Sequence, residues 1–302
     1  MIIIGEKYKF NDLEKEKLKK YKLEYIKDDE NLKKHIEEKL KENNYKFIIL
    51  NTDKKLSKEI LSYLTSLELK GIRFLTLEHF LEKYLQKLYI PKNGEQIEFL
   101  DKIKPFSKRQ YFLKRIIDFS ITLPLAVITA PVMLYSVYKI KKESPDGPVI
   151  FKQKRIGLNG KEFVCYKFRS MVPDAEKGKP QFASEDDPRI FKWGAFMRKT
   201  RIDELPQLWN VIKGDMHMIG PRPERKYWIE IFEKNIPYYN LRHLVKPGIT
   251  GWAQVCYPYG ANEEDAYQKL MYDLYYIKNW SLWLEIKTIF KTIWVMIGRK
   301  GL

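Results

Sequence analysis

Along residues 1–90, short β-branched runs alternate with longer stretches in which apolar residues recur every three or four positions. The runs are Ile2-Ile3-Ile4, Leu23-Glu24-Tyr25-Ile26, Phe47-Ile48-Ile49-Leu50 and Ile72-Arg73-Phe74-Leu75, while Asn31 to Asn43 and Ser57 to Leu69 carry the helical spacing. The first pattern predicts buried strands and the second amphipathic helices. Their alternation predicts a small βα-repeat, Rossmann-like domain with a parallel sheet over residues 1–95. A single glycine, Gly5, follows the first run, so the GxGxxG turn that cradles a dinucleotide is missing and a scaffolding or regulatory role is expected.

Pro91 to Pro105 is a polar connector and the expected domain boundary. Beyond it the pattern changes. Phe119 to Val137 is a run of 19 residues without a charge, long enough to reach into a bilayer but interrupted by Pro124 and Pro131, each of which removes a helical hydrogen bond. Basic residues flank both sides: Lys108, Arg109, Lys114 and Arg115 before, Lys139, Lys141 and Lys142 after. The positive-inside tendency puts both flanks on the cytoplasmic face, which a straight span cannot do, so a bent, re-entrant membrane helix over about residues 112–140 is predicted. A buried helix of a soluble core is the alternative. Asp118, at the edge of the run, is costly there unless paired, and Arg115 stands three residues earlier on the same helical face. Arg115, Asp118 and Pro131 are therefore the expected anchor of this segment. Near the C-terminus, Trp280 to Ile297 mixes Trp280, Trp283 and Trp294 with Lys287 and Lys291, the mixture of an interfacial amphipathic helix, although an ordinary packing helix has the same spacing.

Charge sharpens the picture. The net charge of +17 favours an anionic partner, and all seven tryptophans lie between Trp193 and Trp294, in the same part as the apolar run. Basic charge, indole rings and an apolar stretch together point to phospholipid more than to nucleic acid, for which no RRM, KH or zinc-finger signature is present. Two cysteines far apart, Cys165 and Cys256, give neither a disulfide framework nor a zinc site. The N-terminus, with charge following directly on Ile2 to Ile4, does not read as a signal peptide.

Between residues 147 and 223 short motifs and single cations become dense, a composition suited to phosphate oxygens. Within Arg198-Lys199-Thr200-Arg201-Ile202-Asp203-Glu204-Leu205-Pro206-Gln207-Leu208, Pro206 suits a first helical turn and Gly214 marks the end. Asp203 and Glu204 thus fall at a helix N-terminus, where carboxylate and phosphate are both favoured. Taken alone, Asp203 reads as an N-cap. Arg198 upstream and Gly220-Pro221-Arg222-Pro223 downstream tilt the reading toward a phosphate site, because a Pro-flanked Arg has little freedom left to lose. A catalytically silent membrane scaffold has no need of such an acidic pair beside placed cations.

The ordered motifs Lys114-Arg115-x-x-Asp118, Gly147-Pro148-Val149-Ile150-Phe151, Tyr166-Lys167-Phe168-Arg169-Ser170-Met171, Asp203-Glu204-Leu205-Pro206-Gln207-Leu208, Gly214-Asp215-Met216, Gly220-Pro221-Arg222-Pro223 and Lys246-Pro247-Gly248-Ile249-Thr250-Gly251-Trp252-Ala253-Gln254-Val255 resemble the bacterial sugar transferases, the monotopic polyprenyl-phosphate phosphoglycosyl transferases. The resemblance covers residues 108–302. It implies a helix-rich α+β catalytic domain with interfacial helices, held at the cytoplasmic face of the bacterial inner membrane. It also implies transfer of a sugar 1-phosphate from a UDP-sugar to polyprenyl phosphate with release of UMP, an early membrane step in making an exopolysaccharide, O-antigen or protein-linked glycan. By motif position, Asp203 would be nucleophile and ligand to Mg2+, Glu204 a base or metal-site partner, and Lys167, Arg169, Arg198 and Arg222 the substrate-binding cations. A homodimer is the assembly considered. The chain departs from the pattern at Ala130-Pro131, where Ser-Pro is usual, at His217 in place of Ser, and at Cys256-Tyr257 in place of Asn-Gly. Tyr257-Pro258-Tyr259-Gly260-Ala261 and Tyr272 to Asn279 resemble the exopolysaccharide-type branch.

Overall fold

Isoleucine-rich runs close to the N-terminus bury themselves as strands because a parallel sheet covered by helices hides both of its faces. A computed structural model describes residues 1–91, 97–173, 175, 187–257, 260 and 262–298. The chain divides into two units, Met1–Tyr89 and Ile90–Leu302. In the first, β1 (Ile2–Ile4), β2 (Glu24–Ile26), β3 (Phe47–Leu50) and β4 (Arg73–Thr76) form one parallel sheet in the order β2-β1-β3-β4. Helices α1 (Asp12–Leu18), α2 (Leu32–Glu42), α3 (Lys58–Glu68) and the single turn α4 (Leu77–Phe80) connect or follow the strands. Ile2, Ile4, Ile36, Ile48 and Leu64 make its core. One charge pair is buried here: Lys87 bonds Glu14, which also accepts the Tyr8 hydroxyl at 2.9 Å.

In the second unit the connector carries a short helix, α5 (Ile97–Lys102), that its polar composition did not announce; residues 92–96 lie outside the described part. Then comes α6 (Lys108–Glu143), 36 residues long, started by a capping box in which Ser107 accepts from the Gln110 amide. Pro124 and Pro131 both lie inside it. Thr129 donates its hydroxyl to Leu125 O at 2.7 Å and Ser136 to Val132 O at 2.8 Å. Neither reaches Val127 O, the carbonyl that Pro131 leaves without its amide partner. Among the described residues this is the one helix long and apolar enough to cross a membrane, and only 11% of its apolar window is buried, so it does not pack as a core helix of this chain. Val127, Ile128 and Leu134 are each more than 70% exposed.

The rest of the unit gathers around the two ends of α6. A hairpin of β5 (Ile150–Ile156) and β6 (Glu162–Phe168) is followed by α7 (Lys192–Thr200), α8 (Gln207–Lys213), β7 (His217–Ile219) and α9 (Lys226–Asn235). Parallel to β7 lies β8 (Gly248–Thr250), then α10 (Trp252–Cys256), α11 (Glu263–Lys278) and α12 (Leu282–Ile297). The first end of α6 is fastened by charge. Buried Lys114 donates to Ile219 O (2.9 Å), Tyr276 Oη (2.7 Å) and Glu285 Oε1 (2.9 Å), while Arg115 donates to Val211 O and Ile212 O. The second end is fastened by packing, with Ile140 against Phe168 and Met197. On α12, Leu284, Glu285 and Thr288 face inward and Trp283, Phe290 and Trp294 outward, an amphipathic division.

Candidate active site

The acidic pair is delivered by a tight reversal. After α7, Arg201 takes a left-handed conformation (φ 60°), Ile202–Glu204 forms one 3-10 turn, and α8 begins behind Pro206. This corrects the capping expectation: Pro206 stands at the N-cap without any side-chain cap, so Asp203 does not cap the helix. Both carboxylates are buried nonetheless. Glu204 Oε1 accepts from Lys167 Nζ at 2.7 Å and from Arg222 Nη2 at 2.8 Å. Asp203 Oδ1 is buried with no hydrogen-bond partner among the described residues.

Environment sets the two acids apart. Burial, then the neighbouring Glu204 charge, pushes the Asp203 carboxyl up to about 6, against the pull of Lys167, Arg201 and Arg198. Burial also works to raise Glu204, but Arg222, Lys167 and Arg201 outweigh it and hold that carboxyl well below its usual range. Glu204 is therefore an anion clamped by two cations, and Asp203 is the more readily protonated of the two, with one oxygen unspent. Pairs of carboxyls pushed apart in this way are a recurrent feature of catalytic sites.

The cations are held from behind. Asn210, fully buried on α8, accepts from Tyr166 N and donates to Val164 O, fixing β6 and with it Lys167. The Arg222 loop is gripped at two carbonyls: Arg155 donates to Pro223 O at 3.2 Å and Arg242 to Arg222 O at 2.9 Å. Arg242 is in turn bonded to Asp273 and to the Tyr239 hydroxyl, both at 2.8 Å. Burial pushes Asp273 up to about 6 even against Arg242. Beneath the loop, backbones cross at glycines: a Cβ on Gly248 would sit 2.1 Å from Gly220 N, and one on Gly251 2.2 Å from Gly220 O.

The fold treats the sequence-derived residues unequally. Lys167, Arg222, Asp203 and Glu204 come together, and the charge of Arg198 reaches Asp203 and Asp187. Arg169 does not join them: its guanidinium is spent on Pro148 O, Ser144 O and Ser144 Oγ, so it clasps the chain that leaves α6. Arg115 and Asp118 do form an ion pair, at 3.5 Å, but Asp118 is closer to His217 Nδ1 (2.6 Å) and Met218 N (2.9 Å). Burial lowers the His217 imidazole to about 4 despite that contact, so its neutral ring donates Nδ1–H to Asp118. The roles of Asn210, Arg155, Arg242 and Asp273 were not legible: Arg155 and Asn210 are two polar residues among many in the stretch 147–223, Asp273 lies in the Tyr272 to Asn279 motif without a partner in sight, and all four meet their partners only on folding. Of the Tyr257 to Ala261 motif, Pro258, Tyr259 and Ala261 lie outside the described residues.

The model of the bacterial sugar transferase family matches residues 109–299. The chain belongs to that family. The match takes in α6, the acidic pair and α12 together. Among relatives in the family, the chain is similar to the UDP-N-acetylgalactosamine-undecaprenyl-phosphate N-acetylgalactosaminephosphotransferase of Aeromonas hydrophila, with 48% identity over 60% of this chain and 43% of the relative. It is also similar to the UDP-glucose:undecaprenyl-phosphate glucose-1-phosphate transferases of Xanthomonas campestris pv. campestris (46% identity, 56% of this chain, 36% of the relative) and Escherichia coli strain K12 (42%, 63% and 41%). The chain spans about two-fifths of the length of these curated relatives.

Proposed function

We propose that the chain transfers a sugar 1-phosphate from a UDP-sugar to polyprenyl phosphate, with Asp203 as nucleophile. The observation that carries this reading is Asp203 Oδ1, buried, unpartnered and one residue from a carboxylate held by Lys167 and Arg222. In the first displacement Oδ1 attacks the sugar-linked phosphorus, the anhydride bond to the other phosphate breaks, and UMP departs with its electron pair. A phosphosugar-aspartyl ester remains. In the second, an oxygen of polyprenyl phosphate attacks the same phosphorus, the bond to Asp203 breaks, and the carboxylate returns. Lys167 and Arg222 each have donors beyond the one on Glu204, and with Arg198 they stabilise charge on the phosphoryl oxygens.

Mg2+ fits the pair. It commonly takes one or two protein carboxylates and fills its shell with water and substrate phosphate, and the described residues offer Asp203 and Glu204 without any cluster of three such ligands. When bound, the ion would neutralise the diphosphate and favour UMP as leaving group. In metal-free protein the Asp203 carboxyl is expected to titrate near pH 6 by carbon-13 NMR and to move down when Mg2+ is added. A midpoint unmoved by Mg2+ would remove Asp203 from the metal site.

The fastenings of α6 and its basic flanks support a topology. Its first end is tied to β7 and α12 and its last to β6 and α7, all in one domain, while its apolar middle is exposed. This supports a re-entrant helix that dips into the inner membrane from the cytoplasmic face, with α12 lying in the interface. Met1–Tyr89 is taken as a Rossmann-like scaffold. Incubating membranes that carry the chain with a panel of UDP-sugars and polyprenyl phosphate tests the function directly: UMP appears with the cognate sugar. No UMP with any UDP-sugar in the panel rejects the reading.

A further inference from the structure

Where α6 passes α7, the two helices leave an open apolar groove of about 400 Å³, within the size range of small-molecule sites. Pro131, Val132 and Tyr135 form its wall on α6, Trp193 and Phe196 its wall on α7, and Ile202, just after α7, completes the lining. The aromatic wall is ordered: Trp193 stacks on Phe196 with centroids 4.7 Å apart, and Tyr135 meets Trp193 edge-on at 5.2 Å. Trp193 is further tied to α6 through its amide, which donates to Glu143.

Two features give the groove a direction. Ile202 shares one 3-10 turn with Asp203, so part of the lining is a single residue from the acidic pair and its cations. The α6 wall continues into Ile128 and Val127, the most exposed apolar part of that helix. The groove thus joins a lipid-facing surface to an anion-binding, reactive centre. A ligand that matches both ends is an apolar chain ending in a phosphate.

The geometry points to this groove as the seat of the isoprene units nearest the phosphate of the polyprenyl acceptor. The inference rests on the transferase reading and adds to it the place where the lipid is gripped. Apolar walls contribute by removing hydrocarbon from water or from looser lipid contact, and the aromatic faces give a branched, unsaturated chain a fixed path. A saturated phospholipid tail could lie on the same surface, but its headgroup phosphate is followed by further groups and cannot act as the attacking terminus.

The test uses the full chain in vesicles of phosphatidylethanolamine and phosphatidylglycerol, with a diazirine-bearing polyprenyl phosphate as probe. Light is expected to label the peptides carrying Tyr135 or Phe196, and unlabelled polyprenyl phosphate should abolish the labelling where phosphatidylglycerol does not. Labelling displaced equally by phosphatidylglycerol overturns the inference. In parallel, Val132→Trp, which fills the groove, and Phe196→Ala, which opens it, should leave single-turnover UMP release without acceptor within about twofold and raise the acceptor KM about tenfold. Unchanged acceptor KM in both variants, with UMP release intact, also overturns it. Absence of UMP release from the unaltered chain would count against the transferase reading alone, and the labelling result then decides the groove.

Discussion

Replacing Asp203 by Asn is expected to lower sugar-phosphate transfer by about four orders of magnitude or more, as loss of a covalent nucleophile does elsewhere. The amide keeps the shape of the side chain but presents no anionic oxygen to phosphorus. Glu204 cannot substitute, because its Oε1 is already committed to Lys167 and Arg222 and its charge is held by them. The variant should fold at least as well as the unaltered chain. The folded-state value of about 6 lies above the ordinary 3.8, so this carboxyl favours folding below about pH 4 and loses that contribution as pH rises through 6. At neutral pH a buried charge with one unpartnered oxygen is a cost that Asn removes. Stability would therefore stay level or rise while turnover vanishes, the trade expected of a group kept for chemistry. Radiolabelled UDP-sugar and thermal melts read both effects, and mass spectrometry of the unaltered chain without acceptor should find a phosphosugar on the Asp203 peptide. An Asp203→Asn chain with near-normal turnover would sink the nucleophile assignment.

Lys114→Met is expected to destabilise the second unit by about 3–5 kcal/mol, the penalty for leaving one half of a buried ion pair behind. Among the described residues, Glu285 would keep the Tyr276 hydroxyl and the Trp280 indole N–H but lose its only cation. Ile219 O would lose a donor as well, and Ile219 precedes the Gly220 to Pro223 loop that carries Arg222. Thermal unfolding in detergent should drop by roughly 10 °C. The companion Lys114→Met with Glu285→Met should recover most of the loss, since an apolar pair strands no charge. Equal melting of the single variant and the unaltered chain would show that the first end of α6 is secured elsewhere.

Local signals carried the sequence reading far where the physics is local. The strands at Ile2, Phe47 and Arg73 follow from apolar runs, and the long helix follows from an uncharged stretch whose prolines proved compatible with one continuous helix. The acidic pair was legible because its cations are grouped in recognisable motifs. What escaped were partners brought together only by folding. Asp118 suggested Arg115, its neighbour by helical spacing, yet its nearer partner His217 lies 99 positions away. Arg169 sits in a motif that suggests phosphate, but the chain leaving α6 supplies carbonyls, of Ser144 and Pro148, that claim it first. Arg242 is unremarkable in sequence, Asp273 stands in a motif that does not name its partner, and both acquire meaning only because one guanidinium reaches the carbonyl of Arg222.

The glycine crossing under the Arg222 loop bears on how this protein could be re-engineered. Gly220, Gly248 and Gly251 leave no room for even one carbon, since backbone atoms already occupy the space at 2.1 to 2.9 Å. A mutational library aimed at a different sugar would gain nothing there: each substitution moves main chain and shifts Arg222 along with it. Useful diversity belongs instead on side chains that the frame carries, leaving the three glycines as fixed points of the design.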